Sequence, residues 1–275
     1  MEAPKVSFFF SGGRPRVIGH RGAAGIAPEN TLVSFERALD EGAGFIEMDV
    51  RESKDGEILV IHDATLERTT NGHGEIRQWK LKELKSLDAG CRFTLDDGVT
   101  YPYRGQKIEI PTLGEFFFSF PEVRTTIEIK QDNPGFVKKL IETIRQYGRE
   151  GWVLLATEED EVMKEIRKEI RDHDLAIATG FSYGEVESFL RWVWGGQRDD
   201  FTPLGQALQI PCTYGDWTLI TEQTVKTAHD LKLEVHAWTI NDIGEMRRLL
   251  SLGVDGIVTD YPARLRDLDA KAATG

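Results

Sequence analysis

Cysteine is almost absent. Its two copies, Cys91 and Cys212, stand far apart and in no CxxC or Cys/His spacing, which excludes a disulfide framework and a thiolate zinc site. Both are expected to be reduced, structural thiols. Long apolar runs are lacking too: none approaches the roughly 18 residues of a membrane-crossing helix. The stretch from Met1 to Gly13 contains Phe8-Phe-Phe10 but neither the charged start nor the apolar core of a signal peptide. The expected location is the cytoplasm. Positive charge is in deficit, with 34 Lys and Arg against 46 Asp and Glu and a net charge of -12. Nucleic acid, which needs a basic footprint, is therefore not an expected partner. The same acidity disfavours stable docking on anionic membranes, leaving transient lipid contact open. No internal repeat or low-complexity tract is visible.

What is present is ordinary globular material, 275 residues of which 40% are hydrophobic and 29% charged. Short β-branched runs alternate with amphipathic stretches, the pattern of βα units on a mainly parallel sheet. Eight strands are predicted: Arg16 to His20, Phe45 to Val50, Thr125 to Lys130, Trp152 to Thr157, Leu175 to Gly180, Ala207 to Pro211, Glu234 to Thr239 and Gly256 to Asp260. Helical spacing covers Thr31 to Glu41, with Leu32, Phe35, Ala38 and Leu39 on one face and Gly42 as a stop. It recurs over Phe136 to Tyr147, Asp160 to Asp172, Tyr183 to Val193, Thr221 to Leu231 and Asp242 to Leu252.

A ninth run, Ile58 to His62, follows the second strand across Asp55-Gly56. That gap is too short for a parallel crossover, so a hairpin is expected, carrying His62 back over the site. The weakly patterned segment 63–124 reads as a small subdomain inserted after the second strand. The fold class is thus α/β, a (β/α)8 TIM barrel forming one domain over 1–275, with its active site at the carboxyl ends of the strands.

Polar residues fall at those ends. His20 and Arg21 close the first strand, Glu47 and Asp49 the second, Glu128 and Lys130 the third, and His236 and Trp238 the seventh. The i, i+2 pairs face one side of their strand, in a barrel the interior. Glu47 and Asp49 lie within an otherwise apolar strand, where acids are costly unless paired or bound to metal. Salt bridges to barrel lysines or arginines are one reading. With Glu128 as a third carboxylate the other is a hard-oxygen site suited to Mg2+ or Ca2+.

Of six histidines, His73, His173 and His229 sit in polar stretches and are expected to be solvated. His20 and His62 are each either a hydrogen-bonded structural histidine or a catalytic one, and together they supply an acid and a base near neutral pH. His236 is left between pocket wall and core. Arg21 offers a fork for phosphate oxygens and Lys130 a point charge, unless each merely neutralises Glu47 or Asp49. Trp238 either stacks on a substrate's carbon skeleton or belongs to the core. Gly22 is expected to let the backbone approach a ligand.

His20-Arg-Gly22, Pro28-Glu-Asn-Thr31, Glu47-Met-Asp-Val50, Lys54-Asp-Gly56, His62-Asp63, Leu66-Glu-Arg-Thr-Thr70, Ile127-Glu-Ile-Lys130, Trp238-Thr239, Gly253-Val-Asp-Gly256 and Thr259-Asp-Tyr-Pro262 occur in this order. Together they resemble the glycerophosphodiester phosphodiesterase family over about 16–267. The resemblance implies a phosphatidylinositol-phospholipase-C-like barrel, a divalent cation, and hydrolysis of a small-molecule glycerophosphodiester to sn-glycerol 3-phosphate and an alcohol. It implies Glu47, Asp49 and Glu128 as metal ligands, His20 and His62 as the acid-base pair, Arg21 and Lys130 on phosphate, and Trp238 in the glycerol pocket. It favours attack by the glycerol 2-hydroxyl through a cyclic phosphate, which spacing does not distinguish from direct water attack.

The aromatic segment Phe181 to Phe201, with Trp192 and Trp194, matches no family motif. It reads either as helix packing or as an apolar lip for an acyl chain, as in the lysophospholipase D branch. A catalytically silent phospholigand-binding barrel and a sugar-phosphate isomerase or aldolase are the competing classes. Neither accounts for the paired histidines.

Overall fold

The computed structural model describes residues 8–196 and 200–272. In chain order its elements are β1 (Arg16–Gly19), α1 (Leu32–Asp40), β2 (Phe45–Glu52), β3 (Ile58–Val60), α2 (Leu81–Leu84), α3 (Leu113–Ser119), β4 (Arg124–Ile129), α4 (Phe136–Gln146), β5 (Val153–Ala156), α5 (Asp160–Asp172), β6 (Ala178–Thr179) and α6 (Tyr183–Trp194). There follow β7 (Ala207–Pro211), the short β8 (Thr213–Tyr214) and β9 (Trp217–Thr218), α7 (Glu222–Asp230), β10 (Glu234–Trp238), α8 (Ile243–Ser251), β11 (Gly256–Thr259) and α9 (Pro262–Ala272).

Eight parallel strands run around a barrel in the order β6, β5, β4, β2, β1, β11, β10, β7. The remaining gap is bridged by Gln206, whose N–H donates to the Thr179 carbonyl at 2.9 Å while its side-chain oxygen accepts from Thr179 N–H at 2.8 Å. The barrel is the expected one. The fifth predicted strand, Leu175 to Gly180, is cut back to β6, because Leu175 N–H is spent on the Ile170 carbonyl, closing α5. The hairpin is as read: β3 pairs antiparallel with β2, Val50 facing Val60. The helices α2, α3 and α9 and the β8–β9 hairpin escaped the sequence reading.

Alternation along each strand divides the core. Outward residues such as Ile46, Met48, Ile127 and Ile129 pack beneath the helices, as Leu208, Val235 and Ile257 do on the opposite side. Inward Ile18, Phe45, Leu154, Ala178, Ala207 and Val258 fill the barrel, with Phe9 from the preceding turn inserted among them. The bottom is pinned by ions: Arg16 on β1 donates through Nε and Nη2 to Glu234 on β10, both at 2.6 Å, across the intervening β11.

Helix α1 starts where Thr31 Oγ1 accepts from Ser34 N–H and ends before Gly42, which has φ +93°. The segment after β3 has its own cluster, Leu66, Ile76, Leu84, Ala89, Ile108 and Ile110, set against Leu59 and Ile61.

Candidate active site

On β2, Phe45, Glu47 and Asp49 all point into the barrel, so the pleat carries the strand from hydrophobic plug to acid within three inward positions. Glu47 is 7% and Asp49 1% exposed. On the adjacent β4, Glu128 stands beside Asp49 in register. One oxygen from each of the three carboxylates lies within 4.8 Å of the others. Burial and the Asp49 charge push Glu47 up to about 8, and burial raises Glu128 despite Lys130. The donors of this triad are hard oxygens, so it fits a divalent cation of the Mg2+ or Ca2+ kind.

Two non-glycine residues with left-handed backbones hold these acids. Arg21 has φ +49° and Asn30 φ +55°; such conformations persist where surroundings enforce them. Arg21 N–H donates to Glu47 Oε2 at 2.9 Å, and Asn30 Nδ2 donates to Asp49 Oδ2 at 2.9 Å. The Arg21 guanidinium reaches Glu29 Oε1 through Nη1 at 2.8 Å. Its Nε, 3.2 Å from Asp49 Oδ2, is buried without an aligned acceptor. Lys130 Nζ donates to Glu128 at 2.5 Å and lies 3.7 Å from Asp49. In this structure, therefore, both cations neutralise the triad, which was one of the two readings of each.

His20 directly follows β1. Its Nδ1 is 2.7 Å from Asp260 Oδ1 and its Nε2 4.0 Å from Glu47 Oε2. Burial opposes the imidazolium, but the Asp260 hydrogen bond and the Glu47 charge outweigh it, so the His20 pKa is raised. Asp260 is in turn held by Asn241 Nδ2 at 2.6 Å. His62 is brought to β2 by backbone ties: Ile61 N–H donates to the Asp49 carbonyl and Arg51 Nε to the His62 carbonyl. Its Nδ1 lies 2.6 Å from Asp63 Oδ1.

Trp238 ends β10, 39% exposed, two strands around the barrel from His20. His236 is core, fully buried one inward position below Trp238 and flanked by Glu234 and Gln209, so the pocket-wall reading falls. His229 is less free than expected: its Nε2 lies 2.8 Å from buried Asp255. Gly22 serves packing instead of a ligand, because a Cβ there would lie 2.4 Å from Ser34 Oγ on α1.

Sequence reasoning gave no role to Glu29, Asn30, Asp63, Arg68, Asn241 or Asp260. All but Asn241 lie in the short motifs that carried the resemblance, and that clustering was the available signal. The arrangement supplies three clustered carboxylates that could hold a cation, two basic side chains, Arg21 and Lys130, beside them, and two histidines each oriented by a carboxylate. These are the parts for phosphoryl transfer to oxygen.

Comparison with known proteins agrees. The model of the glycerophosphoryl diester phosphodiesterase family matches residues 20–264. A glycerophosphodiester phosphodiesterase from Caldanaerobacter subterraneus subsp. tengcongensis is 33% identical, the match covering 93% of this chain and 98% of that one. A mouse lysophospholipase D is 29% identical over 92% of this chain and 85% of its own. Among solved structures, a phosphodiesterase from Oleispira antarctica in complex with the product sn-glycerol-3-phosphate superposes with TM-score 0.71 at 27% identity, covering 92% and 96% of the two chains. With sequence match and barrel coinciding over nearly the whole length, the chain belongs to the glycerophosphoryl diester phosphodiesterase family and is an enzyme of the phosphoric diester hydrolase class.

Proposed function

We propose that this chain hydrolyses glycerophosphodiesters to sn-glycerol 3-phosphate and an alcohol, using His20 and His62 as acid and base beside a divalent cation held by Glu47, Asp49 and Glu128. The observation that carries the reading is the convergence of those three carboxylates beneath His20, whose far nitrogen is tied to Asp260. The product-bound Oleispira relative supports the substrate class.

When bound, Mg2+ or Ca2+ supplies charge neutralisation for the phosphoryl oxygens. Arg21, whose Nε lacks an aligned acceptor, and Lys130 then turn their donors to phosphate. Trp238 lies against the glycerol. One histidine removes the proton of the glycerol 2-hydroxyl as it attacks phosphorus, and the other protonates the departing alkoxide. With roles reversed, the pair delivers water to the cyclic phosphate and releases glycerol 3-phosphate.

The test is phosphorus NMR of glycerophosphocholine and lysophosphatidylcholine with the protein, in Mg2+ or Ca2+ and in chelator. Cation-dependent glycerol 3-phosphate from the first is expected. No product from either substrate, with either cation, would sink the reading.

A second reading, lysophospholipase D activity, is favoured by one feature. Within the aromatic segment Phe189 is buried and Trp192 stacks on Phe201, so Trp192 serves packing. Tyr183, Trp194, Tyr214 and Trp217 instead stay exposed, Trp217 by 63%, while pairing across α6 and the β8–β9 hairpin. Trp194→Ser with Trp217→Ser should then lower lysophosphatidylcholine turnover and spare glycerophosphocholine; equal loss on both refutes the lip.

We read the chain as one functional domain with 63–124 as its inserted subdomain, supported by that segment's packing on β3. No helix among the described residues is long and apolar enough to cross a membrane. A cytoplasmic setting is supported by two cysteines left unpaired.

A further inference from the structure

We propose that Arg68 is a positioning residue that couples the two sides of the active site, clamping Asp63 against His62 while sharing Glu29 with Arg21. The inference rests on the acid-base role given above to His62.

Arg68 lies in the inserted segment, on a loop closed at its base by Leu66 N–H to the Gly74 carbonyl and Ile76 N–H to the Ala64 carbonyl. Nearly half of its side chain is exposed, yet the guanidinium makes four hydrogen bonds to two carboxylates. Nε donates to Asp63 Oδ2 at 2.6 Å and Nη2 to Asp63 Oδ1 at 3.1 Å. On the other edge, Nη1 and Nη2 donate to Glu29 Oε2 and Oε1 at 2.6 and 2.8 Å. Glu29 Oε1 also accepts from Arg21. A continuous chain results, His62, Asp63, Arg68, Glu29, Arg21 and Asp49, alternating in charge from histidine to candidate metal ligand.

Each link has a physical purpose. A lone Asp63 adjacent in sequence to His62 has many rotamers, and two donors from a planar fork leave it one. Oδ1 is thereby fixed 2.6 Å from Nδ1, which keeps the Nδ1–H tautomer and frees Nε2 for proton exchange. Arg68 also holds the Asp63 carboxyl near 2, so it stays an acceptor throughout the working range. On the other side Glu29 remains an anion despite burial because Arg68 and Arg21 both donate to it. Glu29 thereby steers Arg21 away from full collapse onto Asp49. Lysine in place of Arg68 would keep the charge without gripping both acids.

The experiment compares wild type, Arg68→Gln, Arg68→Lys, Asp63→Asn and the Asp63→Asn/Arg68→Gln double variant on glycerophosphocholine. It records kcat and KM against pH, cation affinity by calorimetry, and the tautomer of His62 by nitrogen-15 NMR. Arg68→Gln should lower kcat roughly 10- to 100-fold, with KM and cation affinity within about threefold. Arg68→Lys should fall between. In the Asp63→Asn background, Arg68→Gln should add little to the loss, because the two act as a unit. The Nδ1–H signal of His62 should give way to averaged tautomers in Arg68→Gln, a readout that needs no turnover. Unchanged kcat, pH profile and tautomer in Arg68→Gln and Arg68→Lys would overturn the proposal, even if stability fell. An inactive wild type would overturn the proposed function instead, while the NMR comparison would still decide the clamp.

Discussion

Replacing Asp260 by Asn should be more damaging than removing it. Asn241 is locked in orientation, since its Oδ1 accepts from Asp260 N–H and Thr259 Oγ1, both at 3.0 Å. Its Nδ2 therefore must donate to position 260, where it now meets Asp260 Oδ2 at 2.6 Å. An asparagine there has one oxygen to give, and it goes to Asn241. The amide NH2 is then left facing His20 Nδ1, which must become an acceptor, putting the proton on Nε2, the nitrogen that faces Glu47 and the site. The base is in the wrong tautomer, a change that costs about 10⁴-fold where an oriented histidine acts as base. Because the Glu47 charge and the cation cluster persist, we expect roughly 10³- to 10⁴-fold in kcat, or about 4–5.5 kcal/mol of transition-state stabilisation. Asp260→Ala should cost less, because water can accept from Nδ1 and leave the productive tautomer accessible. The assay is steady-state hydrolysis of glycerophosphocholine at saturating cation, with nitrogen-15 NMR of His20. If Asp260→Asn keeps kcat within about threefold of wild type, or Asp260→Ala proves clearly worse, the orientation argument is wrong.

Other expectations follow from the same geometry. Glu47 sits high, at about 8, so between 4.5 and that value the folded protein binds a proton the unfolded chain does not, and stability falls as pH rises. Glu47→Gln should therefore stabilise the protein in chelator, by at most about 3 kcal/mol at pH 7, seen as a higher melting temperature, and should weaken or abolish stabilisation by added cation; a lower melting temperature in chelator would contradict this. At the barrel bottom, burial opposes ionisation of Glu234, but Arg16 and His236 hold its carboxyl far below the ordinary range. Its stabilisation is complete above the usual carboxylate pKa and is lost as pH falls. Glu234→Gln should cost about 3–5 kcal/mol at pH 7 by leaving Arg16 buried without its counter-charge, and denaturant titration at pH 7 and pH 3 should show the gap closing in acid. Gly22→Ala combines φ +89° with a Cβ 2.4 Å from Ser34 Oγ. Left-handed strain and overpacking predict about 2–4 kcal/mol of destabilisation, measurable by thermal unfolding; a loss under about 1 kcal/mol would show that α1 yields freely.

What the sequence determined by itself follows from periodicity and chemistry that survive in one dimension. Alternation at period two put Glu47, Asp49 and Glu128 on the inner face of their strands, and apolar neighbours marked those strands as buried. The βα rhythm named the barrel, and Asp55-Gly56 announced the hairpin that returns His62 to β2. Depth was not legible in the same way. His236 and Trp238 share a face, yet one inward position separates a sealed core histidine from an exposed tryptophan at the mouth. Nor could spacing show that Gly22 is pressed against α1, or which aromatic of the α6 segment turns outward, since both depend on which helix packs where.

The tertiary structure alone decided the partners. Asp260 reaches His20 because β11 lies beside β1, 240 residues apart in the chain. Arg68 meets Glu29 only because the inserted loop folds back over the β1–α1 turn. A side chain's type and strand position are local properties, and the sequence carries them. The tautomer of a histidine or the charge of a carboxylate depends on groups a few ångströms away, and closing the barrel is what brings those groups together.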